Sequence, residues 1–218
     1  MNDATAPLTA IVGMGPGMGM ALARRFGREG HRLGLLARRA DALSGLVDQL
    51  KSEGFDAHGH AVDAGDPAAL KKALGAASPD VLIYNASIFR EATPSQLDPE
   101  ELVTEFRAMA AGFLAAIQAV LPSMKAKGRG TILLTGGGSA LSPFASGASL
   151  SVGKAAQRSL LLSLAQELGG TGIHAATVTI CGMIQEGTAF DPQKLAEQFW
   201  QLHAQPMGAF EVERIIKG

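Results

Sequence analysis

A doubly wound α/β fold is what this sequence predicts: one parallel sheet of about seven strands, in the order 3-2-1-4-5-6-7, with helices on both faces. Three observations lead there. Short apolar runs alternate with helical patterns from end to end of the 218 residues. The apolar runs lack inside/outside alternation, which marks strands buried on both faces. The first run passes directly into a glycine-rich loop and then a helix, the opening of a βαβ unit.

The elements follow in order. Leu8–Val12 is a short apolar strand closed by glycines. Gly17–Glu29 reads as a helix with Met18, Leu22 and Phe26 on one face, ending at Gly30. His31–Ala37 is a second strand and Ala40–Glu53 a second helix. Asp56–Val62 is a weaker third strand. Asp66-Pro67 is a start signal for a short helix to Ala76. Asp80–Tyr84 is strand-like, and a long helical stretch runs from Pro99 to Lys127, tightened near Pro122. Thr131–Thr135, the helix Ser149–Leu168 and the strand Ile173–Ile180 complete the alternation. The tail holds a helix over Pro192–His203 and a last strand near Ala209–Ile215. Residues 1–218 are expected to form one domain, with 183–218 as a short lid and last strand, leaving an open or shallow pocket.

Composition narrows the function classes. Hydrophobic residues make up 47% and charged residues 18%, so the chain is neither disordered nor a coiled coil. The net charge of −1 carries no general attraction for nucleic acid or an anionic membrane. Cys181 is the only cysteine, which excludes an intrachain disulfide and points to a reducing, cytoplasmic setting. The first ten residues lack the pattern of a signal peptide, and no run of 18 apolar residues occurs to form a membrane span. One asymmetry remains: residues 1–40 carry Arg24, Arg25, Arg28, Arg32, Arg38 and Arg39 against Asp3 and Glu29. Helix-face pairing, such as Arg25 with Glu29, accounts for part of it.

The glycine loop is Val12-Gly13-Met14-Gly15-Pro16-Gly17-Met18-Gly19. A G-x-G-x-x-G pattern fails here; G-x3-G-x-G fits, with Gly13, Gly17 and Gly19. Gly13 permits a tight turn, Gly17 lets backbone approach a pyrophosphate, and Gly19 allows close helix–strand packing. The phosphates would meet free N–H groups at the helix N-terminus. At the end of the second strand an acidic residue would hold a ribose 2′-hydroxyl. Ala37, Arg38 and Arg39 stand there instead, and a guanidinium suits a 2′-phosphate. NADP(H) is therefore expected over NAD(H), with Arg38 as discriminator; the alternative is an exposed arginine opening the second helix.

These features resemble the short-chain dehydrogenase/reductase family over nearly the whole chain, which implies a single-domain Rossmann fold. Asp63 matches the family's aspartate near the adenine ring. Tyr84-Asn85-Ala86-Ser87 is similar to its Asn-Asn-Ala-Gly segment. Gly112-Phe113 and Leu121-Pro122 match its central helix, and Lys154-Ala155-Ala156 the helix of its active-site lysine. Cys181-Gly182 stands where the family has Pro-Gly. The resemblance implies cofactor contacts from Gly13, Gly15, Pro16, Gly17, Met18, Gly19, Arg38, Arg39, Asp63, Asn85, Ala86, Lys154 and Gly182, and no metal.

It also exposes a departure. The family's proton donor is a tyrosine four residues before the lysine, where a shared helix face lets the ammonium lower the phenol pKa. That position is Leu150 here, the serine position is Gly137 and the asparagine position is Met109. The chain's one tyrosine, Tyr84, ends the fourth strand and reads as a core aromatic. Candidate substitutes are Ser139, Ser151, His203 in the tail, and Lys154 itself if burial depresses its pKa; His203 otherwise reads as a surface histidine. A pocket floor of Leu150, Met109 and Met183 is expected. Two functions stay open: an oxidoreductase of altered mechanism on a small carbonyl or alcohol, or a pseudoenzyme that senses cofactor or supports a partner subunit. The resemblance further implies a homodimer or homotetramer through helices 99–127 and 149–168, by faces such as Ala110, Ala111, Ala115 and Leu160, Leu161, Leu164, unless these pack on the sheet.

Overall fold

The computed structural model describes residues 6–218. Residues 1–5, which bear part of the signal-peptide reading and Asp3, lie outside the described residues. Seven parallel strands form one sheet in the order β3-β2-β1-β4-β5-β6-β7. They are β1 (Leu8–Val12), β2 (Arg32–Ala37), β3 (Ala57–Ala61), β4 (Val81–Tyr84), β5 (Gly130–Gly137), β6 (Ile173–Ile180) and β7 (Glu213–Ile216). The helices are α1 (Met18–Gly27), α2 (Ala40–Ser52), α3 (Pro67–Ala77), α4 (Pro99–Phe106), α5 (Gly112–Lys127), α6 (Ala148–Glu167) and α7 (Pro192–His203).

Two apolar layers flank the sheet. On one face Leu22 and Phe26 of α1, Leu43 and Leu50 of α2, and Leu195 and Phe199 of α7 pack on Ile11, Leu33, Ile83 and Val178. On the other, Leu70 and Leu74 of α3, Phe113 and Ile117 of α5, and Leu161 of α6 pack on Val12, Leu82, Leu134 and Ala175. The strands read as unbroken apolar runs because both faces are covered. β3 read weakly because it is an edge strand: four of its five residues are exposed. Asp66 caps α3 as its spacing predicts, accepting from the Ala68 and Ala69 amides at 3.0 Å.

Three expectations need correction. The helical stretch 99–127 is not tightened near Pro122. It is widened by a π-helical turn at Arg107–Ala111, while Pro122 is carried inside α5. That stretch is long and apolar enough to cross a membrane by length and composition, yet Phe113, Ile117 and Val120 are buried in the core. Nor is α7 part of a lid, because Phe199 and Leu202 are fully buried beside α1. Last, Leu161 and Leu164 pack in the core against the sheet, so the alternative of sheet packing holds for them, while Ala110 and Ala115 are buried.

His203 follows from the topology. A helix between parallel strands runs back against them, so the last residue of α7 lies at the amino edge of the sheet. There His203 Nδ1 is 2.9 Å from Thr131 Oγ1, and its ring packs against Phe26, His31 and Trp200. It is neither a surface residue nor a group of the carboxyl edge. Burial, with smaller contributions from His31 and His174, drives its pKa down to about 4. An unfolded histidine titrates near 6.5. Between these values the unfolded chain binds more protons, so this contribution is whole above about pH 6.5 and is lost as pH falls toward 4. Urea unfolding is therefore expected to show about 1 kcal/mol less stability near pH 5.5 than near pH 7.5. Equal stability at the two pH values would contradict the buried neutral imidazole.

Candidate functional site

The carboxyl ends of β1, β4 and β5 bring the site together. Gly13 follows β1 with φ +88°, a conformation that side chains avoid. A Cβ there would overlap the backbone of Ala86. The loop turns back by bonding the Gly13 and Met14 amides to Leu36 O, at 2.9 and 3.0 Å. Beyond it, a Cβ at Gly15 or Gly17 would meet nothing within 4 Å, so this part of the loop faces open space at the start of α1. Gly17 caps α1 without a side-chain bond, and the first turn holds no acidic residue. Free N–H groups and the helix dipole thus stand where a pyrophosphate would be held. Met18 turns inward and is buried, and Pro16 is exposed. The close packing expected of Gly19 exists, but its partner is Met14 of the loop rather than a strand.

One bonded chain joins this loop to the lysine. Asn85 Nδ2 donates to Gly13 O at 2.8 Å. Thr135 Oγ1, in β5, donates to Asn85 Oδ1 at 2.9 Å. Lys154 Nζ donates to Thr135 O at 2.7 Å. Lys154 is buried, and burial presses its pKa down to about 8. Thr135 and the buried Gln157 are members of the site that the sequence reading missed. Thr135 has no motif of its own; Gln157 had one available signal, a polar residue on the same face of α6 as Lys154.

The positions around Lys154 are apolar. A Cβ on Gly137 would lie 3.4 Å from Lys154 Cγ, in ordinary contact, with an extended backbone that any residue adopts. Leu150 is half-buried one turn before the lysine. Met109 sits buried in the π-turn, its sulfur against Gly153. Met183 does not belong to a pocket floor, since it is 80% exposed in the segment after β6. Phe190 lies over Gly182 in that segment.

The substitute donors fare differently. Ser139, in a short 3-10 turn after β5, lines an apolar groove of about 420 Å³ with Phe144, Ala148, Ser151, Val152 and Ala155. At 3.6 residues per turn, the centre of that face of α6 lies about 130° around the helix from the face of Leu150 and Lys154. Ser151 is bonded to Gly147 O at 2.8 Å. Tyr84 is fully buried and its hydroxyl donates to Ala108 O. Burial raises its pKa, so it remains a neutral core phenol. Of the groups considered, Lys154 is the one beside Gly137 that can give up a proton.

Arg38 and Arg39 are exposed immediately after β2, and among the described residues neither forms an ion pair. Arg24 and Arg25 are instead occupied, by Glu53 and by Glu29 with Glu197. Asp63 is exposed after β3, its Oδ1 accepting from the Gly65 amide at 2.8 Å. A separate cavity of about 700 Å³ opens at the amino edge between Asp80, Lys127, His174 and Phe210. Its Lys127 is bonded to Asp80 at 2.7 Å, and it is remote from the glycine loop.

The short chain dehydrogenase family model matches residues 8–197, and the chain belongs to that family. Among similar proteins is the NADP-dependent 3-hydroxy acid dehydrogenase YdfG of Salmonella typhi. It is 27% identical over 177 residues, 78% of this chain and 70% of that protein. A short-chain dehydrogenase from Rhodopseudomonas palustris superposes with a TM-score of 0.88 at 24% identity, covering 97% of this chain and 98% of the other. A metagenomic short-chain oxidoreductase in complex with NADP gives 0.88 at 23%, covering 96% of each chain. At such identities the structures show the shared fold. The chain spans from about a third to seven tenths of the length of the curated relatives it matches.

Replacing Gly13 with alanine is expected to destabilise the protein by on the order of 2 kcal/mol, through backbone strain and the clash with Ala86. A thermal melt unchanged from the wild type would show that the loop does not need this approach.

Proposed function

We propose that this chain binds NADP(H), in preference to NAD(H), across the carboxyl edge of the sheet, and acts as an oxidoreductase on a small carbonyl or alcohol without a phenolic acid. The observation that carries this reading is the bonded chain from Gly13 to Lys154, with open space at Gly15 and Gly17 before α1. The residues fit the cofactor. The loop from Gly13 through Gly19 would hold the pyrophosphate, Asp63 the adenine end, and Arg38 with Arg39 the 2′-phosphate. Asn85, Ala86, Lys154 and Gly182 would frame the nicotinamide ribose. The bound dinucleotide would supply or accept the hydride.

What the chain itself contributes is chiefly position. Leucine and methionine at the places of the family's tyrosine and asparagine hold no transferable proton, and Gly137 offers no hydroxyl. General acid catalysis is worth about 10²–10⁴ in rate, so proton delivery by solvent makes a slow enzyme. Lys154, held near 8 by burial, is protonated at neutral pH and is the chain's nearest proton source. The exposed Phe89 and Ile184 on the segments after β4 and β6 favour a substrate with apolar flanks.

A second reading has its own support. With its ammonium turned to Thr135 O and no phenol to tune, the site also suits a cofactor sensor or partner subunit. Self-association through helices 99–127 and 149–168 would use Val103, Phe106, Leu114 and Val152, each at least 40% exposed.

Fluorescence titration is expected to show NADPH binding more tightly than NADH. Arg38→Glu should lower NADPH affinity about tenfold or more and leave NADH nearly unchanged. Equal losses for both cofactors would remove Arg38 as discriminator. The double variant Leu150→Tyr, Gly137→Ser should raise NADPH oxidation at 340 nm at least about tenfold against a panel of aldehydes, ketones and quinones. A folded, NADPH-binding double variant with no gain would contradict the assignment of these two positions. Tight NADPH binding with no turnover by the wild type decides for the sensor.

A further inference from the structure

A π-turn inserts an extra residue into a helix and turns carbonyls away from the regular ladder, so they need other partners. In the turn at Arg107–Ala111 two neighbouring carbonyls find side chains of other elements. Ala108 O accepts from the Tyr84 hydroxyl at the end of β4. Met109 O accepts from Gln157 Nε2 of α6 at 3.0 Å. The same nitrogen is 3.4 Å from Ala86 O, in the segment after β4. Both targets only accept, which fixes the amide with its nitrogen toward them.

The cost of this arrangement is visible. Gln157 is fully buried, and its Oε1 has no hydrogen-bond partner among the described residues. A leucine of similar size would avoid burying that oxygen but would leave Met109 O without this donor, so the glutamine serves as the donor that ties the π-turn to α6. It has two attachments, Met109 O and Ala86 O. Gln157 lies three residues after Lys154 on the same face of α6. It grips Met109 of the π-turn and the residue next to Asn85. Through Asn85 the grip extends to Gly13.

We propose that Gln157 is a positioning residue, which holds the π-turn and the Asn85–Ala86 segment in fixed register with Lys154. The π-turn then presents Met109 to Gly153, and the segment after β4 keeps its approach to the glycine loop. The cofactor-binding arm of the test rests on the NADP(H) reading; the exchange arm does not.

The test compares wild type, Gln157→Leu and Gln157→Glu in the full chain by amide hydrogen exchange and NADPH titration. Leucine removes the donor at nearly constant volume. The amides of 107–112 and 85–87 are expected to exchange about tenfold faster in it, with β6 unchanged, and NADPH affinity to fall several-fold. Glutamate can donate only when protonated. Its protection and affinity should therefore recover, relative to wild type, as pH is lowered from about 8 to about 6. A merely structural role predicts no such recovery. Wild-type exchange in both segments of Gln157→Leu, or a glutamate defect independent of pH, overturns the proposal. If Gln157→Leu does not fold, Gln157→Met takes its place with the same expected results. If wild type fails to bind NADPH, the cofactor reading falls and the exchange result alone decides the role of Gln157.

Discussion

The close approach of the glycine loop to the end of β4 is the constraint on which the rest of the site depends. Gly13 passes the Ala86 backbone with no room for a side chain. Asn85 converts that contact into a directed bond and passes it, through Thr135, to Lys154. Each bond is worth only about 1 kcal/mol net, but a broken one leaves a buried polar group unpaired, which costs about 1–3 kcal/mol. The chain of bonds is therefore more rigid than its net energy implies. It keeps the glycine loop and Lys154 in one frame, although they come from β1, β4, β5 and α6.

Within that frame the chemistry is spare. In the proposed alignment the positions that would share the work of the buried Lys154 are Leu150, Gly137 and Met109, none of which can donate a proton. A buried ammonium near 8 with a single backbone partner can orient a diol or surrender a proton. The chain's one phenol, Tyr84, is buried in the core and bonded to Ala108 O. In the proposed reading the short-chain dehydrogenase fold keeps the binding architecture that backbone geometry supplies and lacks the acid–base groups that side chains supply.

Most elements were legible because apolar runs and glycine breaks are local signals, and the strand order because right-handed crossovers in a doubly wound sheet restrict it. α7 begins at Pro192 and ends at His203, the bounds read from the sequence. Features set by tertiary contact were not legible. The π-turn leaves no mark in the periodicity of 99–127, since its carbonyls are satisfied by Tyr84 and Gln157 from distant elements. His203 was placed at the wrong edge because sequence position near the tail says nothing about the direction in which a crossover helix runs. Met183 was placed in a pocket on its apolarity alone, and Ser139 on its nearness to Gly137. Helical phase separates Ser139's groove from the face of Lys154, a relation that needs both elements in space.

The crystal structure of the complex with NADPH tests the central claim most directly. The account predicts a dinucleotide along the glycine loop, its 2′-phosphate beside Arg38, and its nicotinamide facing Lys154, Gly137 and Leu150 with no tyrosine hydroxyl near the reactive carbon. An unbound crevice at saturating coenzyme, or a Tyr84 side chain swung out of the core toward the nicotinamide, would contradict it.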